Sequence, residues 1–333
     1  MSHRAGGFLI IVAASLSVGW FALSKPWSGS AEPPSAPRTP REIFAADRDS
    51  GFDADRALDY LKEVCKIGPR ISGTDGMKQQ QELLKKHFEA LGGKVELQRF
   101  TARQRSQRQP TEMANLIVSW FPERKRRVIL CSHYDTRPIA DRERDPRKWH
   151  QPFLSANDGG SGVALMMELA NHMKELRPEV GVDFVIFDGE EYIFNPALDG
   201  DVYFFGSEHF ADVYRQTRTK TGITYVGAVL LDMIAGENAR FPIEQNSWFK
   251  ASSLVKELWQ IAADQKAPAF QYQWGPEVRD DHLALNGASI PTVDIIDFNY
   301  PHWHLLSDLP QNCSGDSLAQ VARVVMTWLQ RAR

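Results

Sequence analysis

Apolar positions recur along this chain with two different periods, and the switches between them lay out its elements. Between residues 53 and 67, Ala57, Leu58, Leu61 and Val64 fall at helical spacing, and Gly68-Pro69 ends the pattern. The turn-rich run Ser72-Gly73-Thr74-Asp75-Gly76 can cap a second helix with Leu83, Leu84, Phe88 and Leu91 on one face and Gly92-Gly93 as its stop. Residues 94–100 alternate as a strand does, residues 113–121 read as another, and 127–132 (RVILCS) form a buried strand ending at His133-Tyr134-Asp135. The run SANDGGSG, residues 155–162, leads into an apolar helix over 163–176. Residues 183–187 are the next strand, closed by Gly189-Glu190-Glu191. A helix starts at Phe205, and VGAVLL (226–231) is a strand ending in Asp232. Residues 252–263 are helical, Asp280-Asp281-His282 opens a short helix, 290–296 is a strand, and 314–316 cap a closing helix over 317–331. This alternation predicts an α/β fold: a single domain with a central mixed, mostly parallel twisted sheet flanked by helices on both faces. There is no internal repeat.

Composition narrows the reading. A chain of 333 residues, 43% hydrophobic and 24% charged, has ample material for a core. The formal net charge of -3 leaves no electrostatic footprint for nucleic acid. Cys65, Cys131 and Cys313 are too few for a disulfide framework and lack paired metal spacing. Residues 8–24 are uncharged and apolar, so 1–24 read as a signal peptide or an N-terminal membrane anchor able to contact a membrane. Residues 25–41 form a Pro/Ser-rich linker and 42–333 the working domain. The expected location is therefore non-cytosolic: secreted, periplasmic, lumenal or membrane-anchored.

Chemistry-bearing residues repeatedly follow strands. His133 and Asp135 come after RVILCS, Glu190 and Glu191 after FVIFDG, Asp232 after VGAVLL, and His304 after the strand at 290–296; Asp158 stands at the Gly-rich helix entrance. Parallel strand ends lie side by side, so these groups can converge. Taken singly, Asp158 fits a helix cap, His133 a core histidine and His304 a surface ring. Together, imidazoles and carboxylates without thiolates match a catalytic zinc site that keeps a position open.

The ordered set HYD, NDGGSG, DGEE, LLD and WH resembles the M28 family of zinc aminopeptidases and their relatives, the glutaminyl-peptide cyclotransferases, from about Asp53 onward. The resemblance implies a zinc-aminopeptidase-like, phosphorylase/hydrolase-like fold. It implies zinc ligation by Asp158, Glu191 and His304, with Glu190 as general acid/base. His133 and Asp232 match the second-metal positions, and Asp135 the carboxylate that orients that histidine. One Zn2+ is expected, and the filled second set leaves room for two. The segment Asp280-Asp281-His282 and Trp303 before His304 resemble the cyclotransferase branch. That branch implies catalytic roles for Asp280 and Asp232 in an acidic network, and Trp303 at the substrate pocket with Phe194 and Tyr192 as further wall candidates. NDGGSG looks more peptidase-like, and Arg279 stands where the cyclotransferases carry Gln. The expected reaction is conversion of N-terminal Gln of peptides or proteins to pyroglutamate with release of ammonia. A two-zinc aminopeptidase is the alternative, and a non-catalytic ectodomain of the same fold the third. The oligomeric state is not legible in the sequence.

Overall fold

The computed structural model describes residues 51–195 and 200–333. The expected signal or anchor segment (1–24), the linker (25–41) and the start of the working domain at 42 lie outside the described residues. Among the described residues, no helix is long and apolar enough to cross a membrane.

Two amphipathic helices come first, as their spacing predicts. In α1 (Ala54–Lys66) the Asp53 side chain accepts from the Arg56 N–H at 2.9 Å, and Ala57, Leu61 and Val64 are buried. In α2 (Asp75–Leu91) Thr74 is the N-cap, and Gly92, at φ +98°, supplies the left-handed C-cap that favours glycine. The sheet strands are β1 (Lys94–Ala102), β2 (Thr111–Trp120), β3 (Arg126–His133), β4 (Gly181–Phe187), β5 (Thr224–Asp232) and β8 (Thr292–Ile296). Their order is β1-β2-β4-β3-β5-β8. The β1/β2 and β2/β4 pairings are antiparallel, whereas β3/β4, β3/β5 and β5/β8 are parallel.

Near-continuous apolar runs suit strands covered on both faces. Val128, Leu130, Phe184 and Ile186 join the large core under α1, α2, α3 (Ser161–Ala170), α6 (Gln245–Asp264) and α8 (Gly315–Arg331). Their neighbours Ile129, Cys131, Val185 and Phe187 point the other way, against Phe210 and Tyr214 of α5 (Phe205–Thr221) and Leu285 of α7 (His282–Gly287). All three cysteines are free, and Cys131 is a fully buried core residue.

Three elements depart from the sequence reading. The helix expected over 163–176 stops at Ala170, and a separate turn, α4 (Met173–Leu176), follows. There the Asn171 side chain donates to the Met167 and Glu168 carbonyls, competing with helical bonding. The helix expected over 252–263 is the second half of α6, which starts at Gln245 and is interrupted by non-helical Ala251. A separate two-stranded parallel sheet, β6 (Phe241–Ile243) with β7 (Phe270–Trp274), was unforeseen, because three residues are too short for any periodicity.

Arg127 and Asp183 form a buried ion pair within the sheet. The Arg127 guanidinium donates to both Asp183 oxygens at 2.7 Å and also to the carbonyls of Trp120, Phe121, Arg124 and Val182. Removing one partner of such a pair strands the other charge away from water. Asp183→Ala is accordingly expected to destabilise the fold by about 3–5 kcal/mol, read by urea unfolding, and an unchanged midpoint would contradict it.

Candidate metal centre and substrate cavity

The parallel strands deliver their C-terminal ends to one place. β3 ends in His133 and β5 in Asp232, while β4 turns through Gly189 into Glu190 and Glu191. Gly189 has φ +72°, and a Cβ there would stand 2.7 Å from Met113 Sδ, so this turn requires glycine. Asp158 arrives from the loop before α3, and Trp303 and His304 from the loop after β8.

Asp158 lies between two histidines: Oδ1 is 3.1 Å from His133 Nε2 and Oδ2 is 3.5 Å from His304 Nε2. Glu191 Oε2 is 3.1 Å from His304 Nε2, and Asp232 Oδ1 is 3.4 Å from His133 Nε2. One ligand atom each from His133, Asp158 and Glu191 lies within 4.8 Å of the others. Asp158 Oδ2 and Asp232 Oδ1 are buried without a hydrogen-bond partner. Orphaned, buried oxygens facing imidazoles are what a cation-binding site presents, so these residues can hold a metal ion.

Further groups hold this arrangement in place. Asp308 accepts the N–H groups of Asn157 and Asp158 at 2.9 and 3.1 Å and the Tyr300 hydroxyl at 2.9 Å. Asp135 accepts the N–H groups of Glu190 and Glu191 at 3.1 and 3.2 Å. Its oxygen is 3.7 Å from His133 Nδ1, beyond hydrogen-bond distance, so its hydrogen bonds go to the Glu190-Glu191 turn instead. Asp141 Oδ1 lies 2.9 Å from His304 Nδ1, while its other oxygen accepts from Arg137 at 3.0 Å. Left-handed backbone at Ser155, Phe204, Met233 and His304 clusters here, which is where strain collects in functional sites.

Burial pushes the Glu190 carboxyl well above the usual range, against the nearby His133 and with Asp280 and Glu191 reinforcing it. Burial, with Asp232 and Asp281, does the same to Asp280. For His304 burial pulls downward, but Asp141 and Glu191 outweigh it and raise the imidazole to about 9.

These groups floor a cavity of about 360 Å³. Glu190, Asp232 and Asp280 line it together, with Trp303, Phe298 and Tyr203 on its walls. Tyr192 and Phe194 do not. Their rings pack edge to face with centroids 4.7 Å apart, and the Tyr192 hydroxyl meets Thr111 Oγ1 at 3.0 Å. Tyr203 and Phe204 are the wall residues instead of the two aromatics that the resemblance implies. Arg137, Asp141 and Asp308 were also missed, because single charged residues in polar loops carry no periodic signal; the i, i+4 pairing of Arg137 with Asp141 was the one available hint.

The chain matches the model of peptidase family M28 over residues 115–329. It is similar to the crystal structure of Fimbriiglobus ruber glutaminyl cyclase, with 51% identity and a TM-score of 0.84, over 91% of this chain and 100% of that one. It is also similar to a leucine aminopeptidase precursor from Bacteroides thetaiotaomicron, with 32% identity and a TM-score of 0.79, over 85% of this chain and 98% of that one. Glutaminyl-peptide cyclotransferase from Bos taurus is 22% identical over 243 residues, a match spanning 65% of each chain. The chain belongs to peptidase family M28, within its glutaminyl cyclase branch.

Proposed function

We propose that the chain is a zinc-dependent glutaminyl-peptide cyclotransferase that converts the N-terminal Gln of peptides to pyroglutamate and releases ammonia. The observation that carries this reading is a single cavity holding Glu190, Asp232 and Asp280 beside the ligand set, with Trp303 on its wall. The similarity to solved glutaminyl cyclases supports it. The donor set, imidazole and carboxylate without thiolate, fits zinc. Asp158, Glu191 and His304 would hold one ion, and His133 with Asp232 is the second set. Zinc, when bound, supplies a Lewis acid for the side-chain carboxamide oxygen.

The chain's own groups handle the proton. Glu190, whose carboxyl burial raises well above its ordinary range, takes a proton from the α-amine as that nitrogen bonds to the side-chain carbonyl carbon. It returns the proton to the departing nitrogen as the C–N bond breaks. Asp232 and Asp280 hold the amine, and Trp303 excludes water. By the N-terminal segment's composition, the enzyme works outside the cytosol, secreted or anchored to a membrane.

A two-zinc aminopeptidase is the second reading, and Asp158 standing between both histidines favours it. In that case Glu190 would deprotonate a water rather than an amine.

Incubation of the protein with a Gln-initiated peptide should show loss of ammonia by mass; hydrolysis of aminoacyl-arylamides with the Gln-peptide left intact would refute cyclisation. Glu190→Gln should keep its zinc and lose about 100- to 10,000-fold in kcat. Glu191→Ala should lose zinc by elemental analysis, and equal zinc loss in both would mean the two roles are misassigned. Asp141→Asn, which weakens the support behind His304, should lower zinc affinity by about 10- to 100-fold in a chelator competition.

A further inference from the structure

Two arginines at the cavity mouth make no ion pair with any described residue. Arg142 and Arg279 both line the cavity and both are exposed. Among the described residues, neither guanidinium makes an ion pair or a hydrogen bond. Arg137, the third arginine of the lining, differs: it is buried and committed to Asp141, Tyr203 and Glu191. Arg142 is held in place without being neutralised, because its guanidinium carbon lies 3.7 Å from the centroid of the Trp303 ring. A guanidinium stacked this way keeps its in-plane N–H groups free for a planar anion. Exposed Glu277 also lines the mouth, so two cations stand there against one anion. The floor, with its carboxylates, has the opposite sign.

A peptide whose terminal amine sits on that acidic floor must leave through the mouth. Its chain advances by at most ~3.3–3.6 Å per residue, so the side chains that follow the terminal residue are the ones that pass the two arginines. We propose that Arg142 and Arg279 are specificity-determining residues that favour peptides carrying Asp or Glu at the second or third position. This rests on the cyclotransferase reading for its substrate, and on the unpaired guanidiniums for its selectivity. Arginine is suited to the task because its fork binds a carboxylate through two parallel N–H donors.

The test uses the zinc-loaded protein and paired peptides that differ only at the second residue, Gln-Glu against Gln-Lys. At low ionic strength kcat/KM should favour the Glu peptide by about three- to tenfold, and the preference should shrink as salt is raised. Arg279→Glu should bring the ratio to one or below, and Arg142→Gln should lower it. Because the ratio is taken within each variant, a general loss of activity cancels. A wild-type ratio of one, or a preference unchanged in the double variant, would overturn the proposal. If no Gln-peptide is cyclised at all, the cyclotransferase reading fails by itself. Calorimetric affinities for the same peptides then decide the mouth: tighter binding of the Glu peptide supports selection, and equal affinities overturn it.

Discussion

Mutual repulsion among buried carboxylates is the constraint on which the centre of this molecule depends. Asp158, Glu190, Glu191, Asp232 and Asp280 share one cavity, and a carboxylate removed from water is tolerated only when it is protonated or faces positive charge. The chain meets this in part with His133 and His304 between the acids, while one oxygen each of Asp158 and Asp232 is left without a hydrogen-bond partner. Such a cluster gains nothing for folding in itself. Under the proposed function, its cost is offset by the cation and the substrate amine that it would attract.

Around that cluster lies a set of acids that fix the loops. Asp308 grips the backbone of Asn157 and Asp158, Asp135 grips the Glu190-Glu191 turn, and Asp188 accepts from Ser72 and from the Ala114 N–H. Each ties a loop at a strand end to a neighbouring segment, so the donors' positions are set by hydrogen bonds to backbone rather than by loop stiffness.

Much of this was legible in the sequence because it follows from period and punctuation. Apolar runs such as 183–187 locate the parallel strands, and Gly92 and Gly189 mark a helix stop and a tight turn, both with positive φ. Convergence of His133, Glu191 and His304 follows from their placement after strand ends, and Asp158 joins them from the Gly-rich helix entrance. What failed were features without a local signature. Tyr192 and Phe194 are as aromatic as Tyr203 and Phe204, and only the course of the loop decides which pair faces the cavity. Asp141 and Arg137 lie in a charged stretch that reads as solvated, yet tertiary contacts bury Arg137 beside His304's neighbour. A strand as short as β6 exists only because β7 pairs with it.

The donors span residues 133 to 304, each on a different strand end or loop. No short fragment of the chain contains more than one histidine of the set, so the site cannot nucleate folding as a zinc finger does. It comes into being only after β3, β4, β5 and β8 have assembled, which involves pairings distant in sequence and therefore slow to find. An ion held across these donors therefore requires the assembled parallel strands, not any one segment of the chain.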